Sequence, residues 1–244
     1  MRWSVYLPAT VAIFSVLLGA ACAAAEDEAP PRAPALIAMG DFNRDGIPDL
    51  AEVPAGVGEP GAARFLTILL GRGDGTFRPA AAIPLPGRDP RSIAVGDFSG
   101  DGQTDVVIGD GGGSLVELLG DGRGNLAPPV EIARFDSVVS IAAGDFNRDG
   151  KLDLAVSDVH ANRVTILLAE GHGAFRIEWS FPTPKQSAVF HLAAADFNGD
   201  GIPDLAVTDE EQDTFAVMLG NGSGTFTYAP ALSKVIDPKA HCAT

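Results

Sequence analysis

The chain has 244 residues and a formal net charge of −15, with 29 glycines, 18 prolines and two cysteines. That charge excludes a nucleic-acid partner and disfavours anionic membrane surfaces, because nothing here could neutralise a phosphate backbone. The glycine and proline content, with aliphatic residues in short bursts rather than helical stripes, points to an all-β chain with many turns.

In chain order, Arg2 precedes an apolar run, Val5–Leu18, and a small-residue stretch, Gly19–Ala25, ahead of acidic Glu26. This layout predicts a secretory signal peptide over residues 1–25, hence a protein that is secreted, periplasmic or surface-anchored. Leu18–Cys22 also looks like a bacterial lipoprotein cleavage site, with Gly19 where such sites usually place Leu. A lipid anchor on Cys22 therefore stays open as the one connection to a membrane. Removal or lipidation of Cys22 leaves Cys242 unpaired, so the core or bound metals must hold the fold. Residues 26–36 read as a linker and 233–244 as a C-terminal tail.

Between them one unit recurs four times, over about 37–86, 93–135, 141–184 and 192–232. Its first aspartates are Asp41, Asp97, Asp145 and Asp196, spaced by 56, 48 and 51 residues, which is the length of a propeller blade. An insertion containing Pro54, Gly56, Gly58 and Pro60 lengthens the first copy. Each unit reads as four strands. The first runs into the aspartate, the second resembles Asp153–Ser157, the third Val164–Leu168, and the fourth starts at a phenylalanine, as in Phe175–Phe181. A four-stranded antiparallel sheet cannot cover both its faces alone, so the copies must stack. Stacking around an axis predicts a β-propeller of four four-stranded antiparallel blades, each with a calcium-binding hairpin loop.

The loop between first and second strands is Asp-x-Asn/Ser-x-Asp-Gly-x-x-Asp in every copy. Positions 1, 3, 5 and 9 offer Asp41, Asn43, Asp45 and Asp49; Asp97, Ser99, Asp101 and Asp105; Asp145, Asn147, Asp149 and Asp153; and Asp196, Asn198, Asp200 and Asp204. Position 7 adds a backbone carbonyl from Ile47, Gln103, Lys151 or Ile202. Three carboxylates, a neutral oxygen and a carbonyl make a hard all-oxygen shell suited to Ca²⁺, about four ions in all. Ser99 is a poorer ligand than Asn, which makes the second site the expected weakest. An EF-hand would need Glu at position 12 and flanking helices, and neither is present.

Opposite these loops lie the variable connections, where specificity would reside. Asp110, Asp158 and Asp209 recur there, each 13 residues after the first loop aspartate, and His160, Arg88, Arg91 and Lys185 map to the same end. Asp110, Asp158, His160 and Asp209 are candidate ligand contacts, with turn capping the plainer role for the aspartates. Arg72-Gly73-Asp74 spells an integrin-recognition tripeptide, but it falls in a turn shared by all copies and reads as coincidence. No nucleophile elbow, dinucleotide fingerprint, phosphate loop or zinc spacing is found, so binding rather than catalysis is expected, with assembly as the alternative and an unrecognised hydrolase behind it.

Asp-Phe-Asn-x-Asp-Gly-x-x-Asp-Leu-Ala-Val, followed by Ile-Leu-Leu-Gly-x-Gly-x-Gly-x-Phe, resembles the FG-GAP/VCBS repeat, related to the integrin α-subunit propeller. The resemblance covers nearly all of the chain after the signal peptide. It implies calcium at the loop positions named above and extracellular or surface recognition of proteins or glycans, as in adhesion. Integrin-type propellers have seven blades and this chain shows four. Closure into a small ring is the favoured expectation, with an open arc or pairing with another copy as alternatives.

Overall fold

Short runs of β-branched and aliphatic residues between Gly-rich turns form strands, and hairpins join them in sequence order. The computed structural model describes residues 36–54, 64–87, 89–182, 191–209, 214–229 and 234–235. The signal peptide with Cys22, the linker up to residue 35, Arg88, Lys185 and Cys242 lie outside the described residues.

Blade 1 comprises β1 (Leu36–Gly40), β2 (Asp49–Val53), β3 (Arg64–Gly71) and β4 (Phe77–Leu85). Blade 2 comprises β5 (Pro90–Gly96), β6 (Asp105–Asp110), β7 (Ser114–Leu118) and β8 (Val130–Arg134). Blade 3 comprises β9 (Val138–Gly144), β10 (Asp153–Asp158), β11 (Arg163–Gly171) and β12 (Ala174–Pro182). Blade 4 comprises β13 (Leu192–Ala195), β14 (Asp204–Asp209), β15 (Thr214–Gly220) and β16 (Phe226–Tyr228), with β17 (Lys234–Val235) also paired to β15. Every blade is an antiparallel meander, so four sheets of the expected order are present.

Two strand limits depart from the sequence reading. In blade 2 Leu126 holds the place of Phe77, Phe175 and Phe226, yet the fourth strand starts only at Val130 and Leu126 makes an isolated bridge to Gly120. Pro128 and Pro129 intervene, and neither can donate to a ladder. Lys234 and Val235, read as tail, pair with Phe215 and Thr214 at the edge of blade 4.

The core lies between blades. Phe42, Leu66 and Ile68 of blade 1 meet Val95, Val106 and Val116 of blade 2 in one cluster. Phe98, Val107 and Leu115 of blade 2 meet Ile141, Leu154 and Leu167 of blade 3 in a second. Phe146, Val164 and Ile166 of blade 3 meet Leu192, Leu205 and Val207 of blade 4 in a third. Strands β6 and β10 are buried at every residue because a neighbouring blade covers each of their faces. Backbone bonds cross the same seams: Gly124 N–H donates to Phe42 O at 2.9 Å, and Gly224 N–H to Phe146 O at 2.9 Å. β1 packs on β5, β5 on β9 and β9 on β13, and no comparable contact returns from β13 to β1 among the described residues.

Candidate functional site

In the first loop the position-1 and position-3 oxygens converge. The amide of Asp45 donates to Asp41 Oδ1 at 3.2 Å and to Asn43 Oδ1 at 3.0 Å, and that of Gly46 donates to Asp41 Oδ2 at 2.9 Å. Asp45 Oδ1 in turn accepts from Ile47 N–H at 2.8 Å. Loops 3 and 4 repeat the pattern around Asp145 and Asn147 and around Asp196 and Asn198. The chain can curl so tightly because position 6 is glycine in the left-handed region, with φ of 77° at Gly46. Amides directed at Asp196, that of Gly201 first, hold its carboxyl below the usual range.

Loop 2 differs at position 3. Asp97 Oδ1 takes the amides of both Gly100 and Asp101, as Asp196 Oδ1 takes those of Gly199 and Asp200, but Ser99 is buried where the other loops place a more exposed Asn. Loop 3 carries its own cation, since Lys151 Nζ pairs with Asp149 Oδ2 at 3.0 Å. Gln103 makes a neutral version of that contact, donating from Nε2 to Asp101 Oδ2 at 3.0 Å.

Position 9 stands apart from the other three. Asp49, Asp105, Asp153 and Asp204 are fully buried; Asp49, Asp153 and Asp204 fasten their loops to the third strand of the blade, and Asp105 fastens its loop to Gly120 just past β7. Asp153 Oδ2 accepts from Phe146 N–H at 2.9 Å and Oδ1 from Ala169 N–H at 2.8 Å; Asp49 does the same for Phe42 and Gly71. Burial pushes the Asp153 carboxyl up to about 6, against those two amides and with Asp149 and Asp145 adding repulsion. Burial also raises Asp105. Among the described residues, no three Asp, Glu, His or Cys side chains are gathered into a ready-made metal cluster. The loop carboxylates instead cap their own backbone amides, and position 9 turns inward.

At the opposite end, Asp110 Oδ2 accepts from Asp89 N–H at 2.8 Å and Oδ1 from Gly112 N–H at 2.6 Å. Asp158 likewise takes the amides of Asp136, Ser137 and Ala161. Both carboxylates thus cap turns. Asp209 pairs through its main chain with Thr214, and its side chain lies outside the described residues. His160 is exposed in the β10–β11 turn, and Arg91 pairs with Asp89 at 2.8 Å. Asp74 of the Arg-Gly-Asp tripeptide accepts from Thr76 N–H and Oγ1, which is the work of a turn residue.

A cleft of about 530 Å³ opens beside Asp158, lined by Arg134, Phe135, Asp136, Arg163 and Ile177. Sequence reasoning missed it, because its walls come from the β8–β9 and β10–β11 connections together with strands β11 and β12, which no spacing rule links. It also missed Glu117, although a signal was present. Strand register sets Glu117 opposite Val107, where the other copies set Ile68, Ile166 and Val217 opposite Ala51, Ala155 and Ala206.

The repeat itself decides the family. A model of the FG-GAP-like repeat matches residues 41–108, 100–156, 155–207 and 196–240. The chain belongs to the FG-GAP-like repeat family. Solved structures extend the likeness to this FG-GAP fold. A lectin of Agrocybe aegerita, described for its specific recognition of non-reducing terminal N-acetylglucosamine, is 20% identical with a TM-score of 0.59. The match covers 83% of the FG-GAP chain and 53% of the lectin, so this chain spans about half the length of that lectin. The Photorhabdus luminescens Tc holotoxin pore is 21% identical with a TM-score of 0.46, over 86% of this chain and 10% of that one. No curated protein matches the chain.

Proposed function

We propose that this FG-GAP protein is an exported, calcium-loaded, non-catalytic recognition module whose ligand is a glycan. The observation that carries the reading is the cleft between blades 2 and 3. Arg134, Asp136 and Arg163 place charged hydrogen-bonding groups of both signs beside the apolar surfaces of Phe135 and Ile177. Sugars present that combination, vicinal hydroxyls around a ring whose C–H face packs on an apolar side chain. The lectin with the shared fold recognises a terminal N-acetylglucosamine, which makes that sugar the first to try.

Calcium would serve the opposite end. The donors fit it: Asp41, Asn43 and Asp45 offer carboxylate and amide oxygens around one turn, with Asp145, Asn147 and Asp149 and Asp196, Asn198 and Asp200 as counterparts. Asp97 and Asp101 supply the second loop with fewer donors, since Ser99 faces inward. Position 7 and the position-9 aspartates would complete the shells. A bound cation supplies positive charge that offsets the clustered carboxylates and stiffens the turns. In loop 3, Lys151 must give way first, so that site joins the second as a weak one.

Calorimetric titration with chitin oligosaccharides checks the recognition reading. Binding is expected in the micromolar to millimolar range of single glycan sites, about −4 to −8 kcal/mol. Arg163→Ala and Asp136→Ala each weaken it at least about tenfold, the weight of one charged hydrogen bond. Absence of heat with every glycan of a broad panel would sink the proposal.

A further inference from the structure

The same phenylalanine of the same motif has four different neighbourhoods. Phe42, Phe98 and Phe146 are 2%, 0% and 1% exposed, each covered by the following blade, while Phe197 is 43% exposed. The mirror image holds at the other end of the arc. Ile93, Ile141 and Leu192 are buried against the preceding blade, but their equivalent Ile37 is 51% exposed, and Met39 beside it is 57% exposed. One face of blade 4 and one face of blade 1 are therefore the two halves of an interblade seam, each without its partner among the described residues.

The two halves also fit each other in detail. The residue before the first loop aspartate is Gly40, Gly96, Gly144 and, in the fourth copy, Ala195. It packs on position 8 of the next blade. A Cβ at Gly40 would stand 2.7 Å from Val95 and 2.9 Å from Thr104, and one at Gly96 would press still harder on Leu152. At Gly144 position 8 is Pro203, and the same Cβ would meet it at 3.4 Å, an ordinary contact, with the movable edge of Phe146 at 2.9 Å. A proline at position 8 thus leaves room that Thr104 and Leu152 do not. The copy with a real Cβ is Ala195, and the blade with an uncovered position 8 carries Pro48.

We propose that blade 4 of this chain docks on blade 1 of a second copy, and that the reciprocal contact closes a two-copy ring. The contact is head-to-tail, and it continues a seam that the chain already makes three times. The two bare faces favour a partner over self-closure. Among the described residues no contact comparable to the three seams returns from β13 to β1, and the fold matches about half of a longer chain. Phe197 and Ala195 enter the face that Ile37, Met39 and Pro48 present, as Phe146 enters blade 4. The inference does not depend on the ligand or on calcium.

Sedimentation velocity of the full chain, over about 1 to 100 µM, reads the result directly. A two-copy species is expected. Phe197→Asp and Met39→Asp each weaken association at least tenfold while leaving the circular dichroism and melting temperature of the blades in place, since both side chains are exposed in a single copy. Each variant homodimer damages both seams. Mixing the two variants confines the damage to one seam, leaves the other native, and is expected to restore a two-copy species. A chain that stays single at 100 µM, a dimer indifferent to both variants, or open-ended polymers would each overturn the closed ring.

Discussion

Chelation is expected to lower the melting temperature of the FG-GAP chain by about 10 °C or more, and added Ca²⁺ to restore it. A site at 100 times its dissociation constant stabilises the folded state by about 2.7 kcal/mol. For a domain of this size each kcal/mol moves the midpoint by about 2–4 °C, so one well-occupied loop gives on the order of 5–10 °C and further loops add to it. The coupling should be strong because the loops are not free-standing. Asp49, Asp153 and Asp204 tie each turn to the third strand of its own blade, so ordering a loop orders the sheet beneath it. Differential scanning calorimetry in EDTA, Ca²⁺ and Mg²⁺ checks this, with calorimetric titration counting ions. An unchanged melt would leave a metal-free repeat whose loop aspartates act as turn caps, the role their hydrogen bonds already perform.

Glu117→Ile should stabilise the protein at pH 8 by on the order of 3 kcal/mol and do far less at pH 4.5. Glu117 is 3% exposed, its Oε1 has no hydrogen-bond partner, and it occupies a position that is aliphatic in the other three blades. Burial, with the neighbouring Asp105 charge second, pushes its carboxyl up to about 7 from an ordinary 4.5. A folded-state value above the unfolded one means that the native state holds an extra proton between the two. Stability is therefore greatest below about 4.5, falls as pH rises towards 7, and levels off above it. The displacement corresponds to on the order of 3 kcal/mol at the alkaline plateau, at about 1.4 kcal/mol per tenfold. Urea unfolding in EDTA from pH 4.5 to 8 should show the wild-type slope flattened in Glu117→Ile and in Glu117→Gln, apart from the part below pH 6 that belongs to Asp153. Equal slopes in all three proteins would show that Glu117 finds a counter-charge in solution.

Much of this protein was legible locally. Asp-Phe-Asn-x-Asp-Gly at Asp41, Asp145 and Asp196 marks the loops because a turn is built from its own few residues, and Asp153–Ser157 reads as a strand because its Leu, Ala and Val suit burial on both sides. The role of position 9 was only half visible. In sequence Asp153 reads as one metal ligand among four; in the structure its carboxylate also bridges Phe146 and Ala169, residues 7 and 16 positions away. The candidate ligand residues Asp110 and Asp158 recur at one spacing because their turns recur, and the cleft beside Asp158 draws on Arg134 and Ile177 from strands that no repeat rule connects.

The sequence by itself determined the repeat, the four strands of each copy and the oxygen-rich loops, since each depends on contacts within about fifty residues of one copy. Tertiary structure decided what depends on the neighbouring copy. It buries Glu117 under the Gly173 turn of blade 3, where a Cβ at residue 173 would stand 2.5 Å from Glu117 Oε2. It covers Phe42, Phe98 and Phe146 and leaves Phe197 bare. Four nearly identical motifs cannot announce such differences, because burial is set by what stacks against a residue, and among the described residues no following blade covers Phe197.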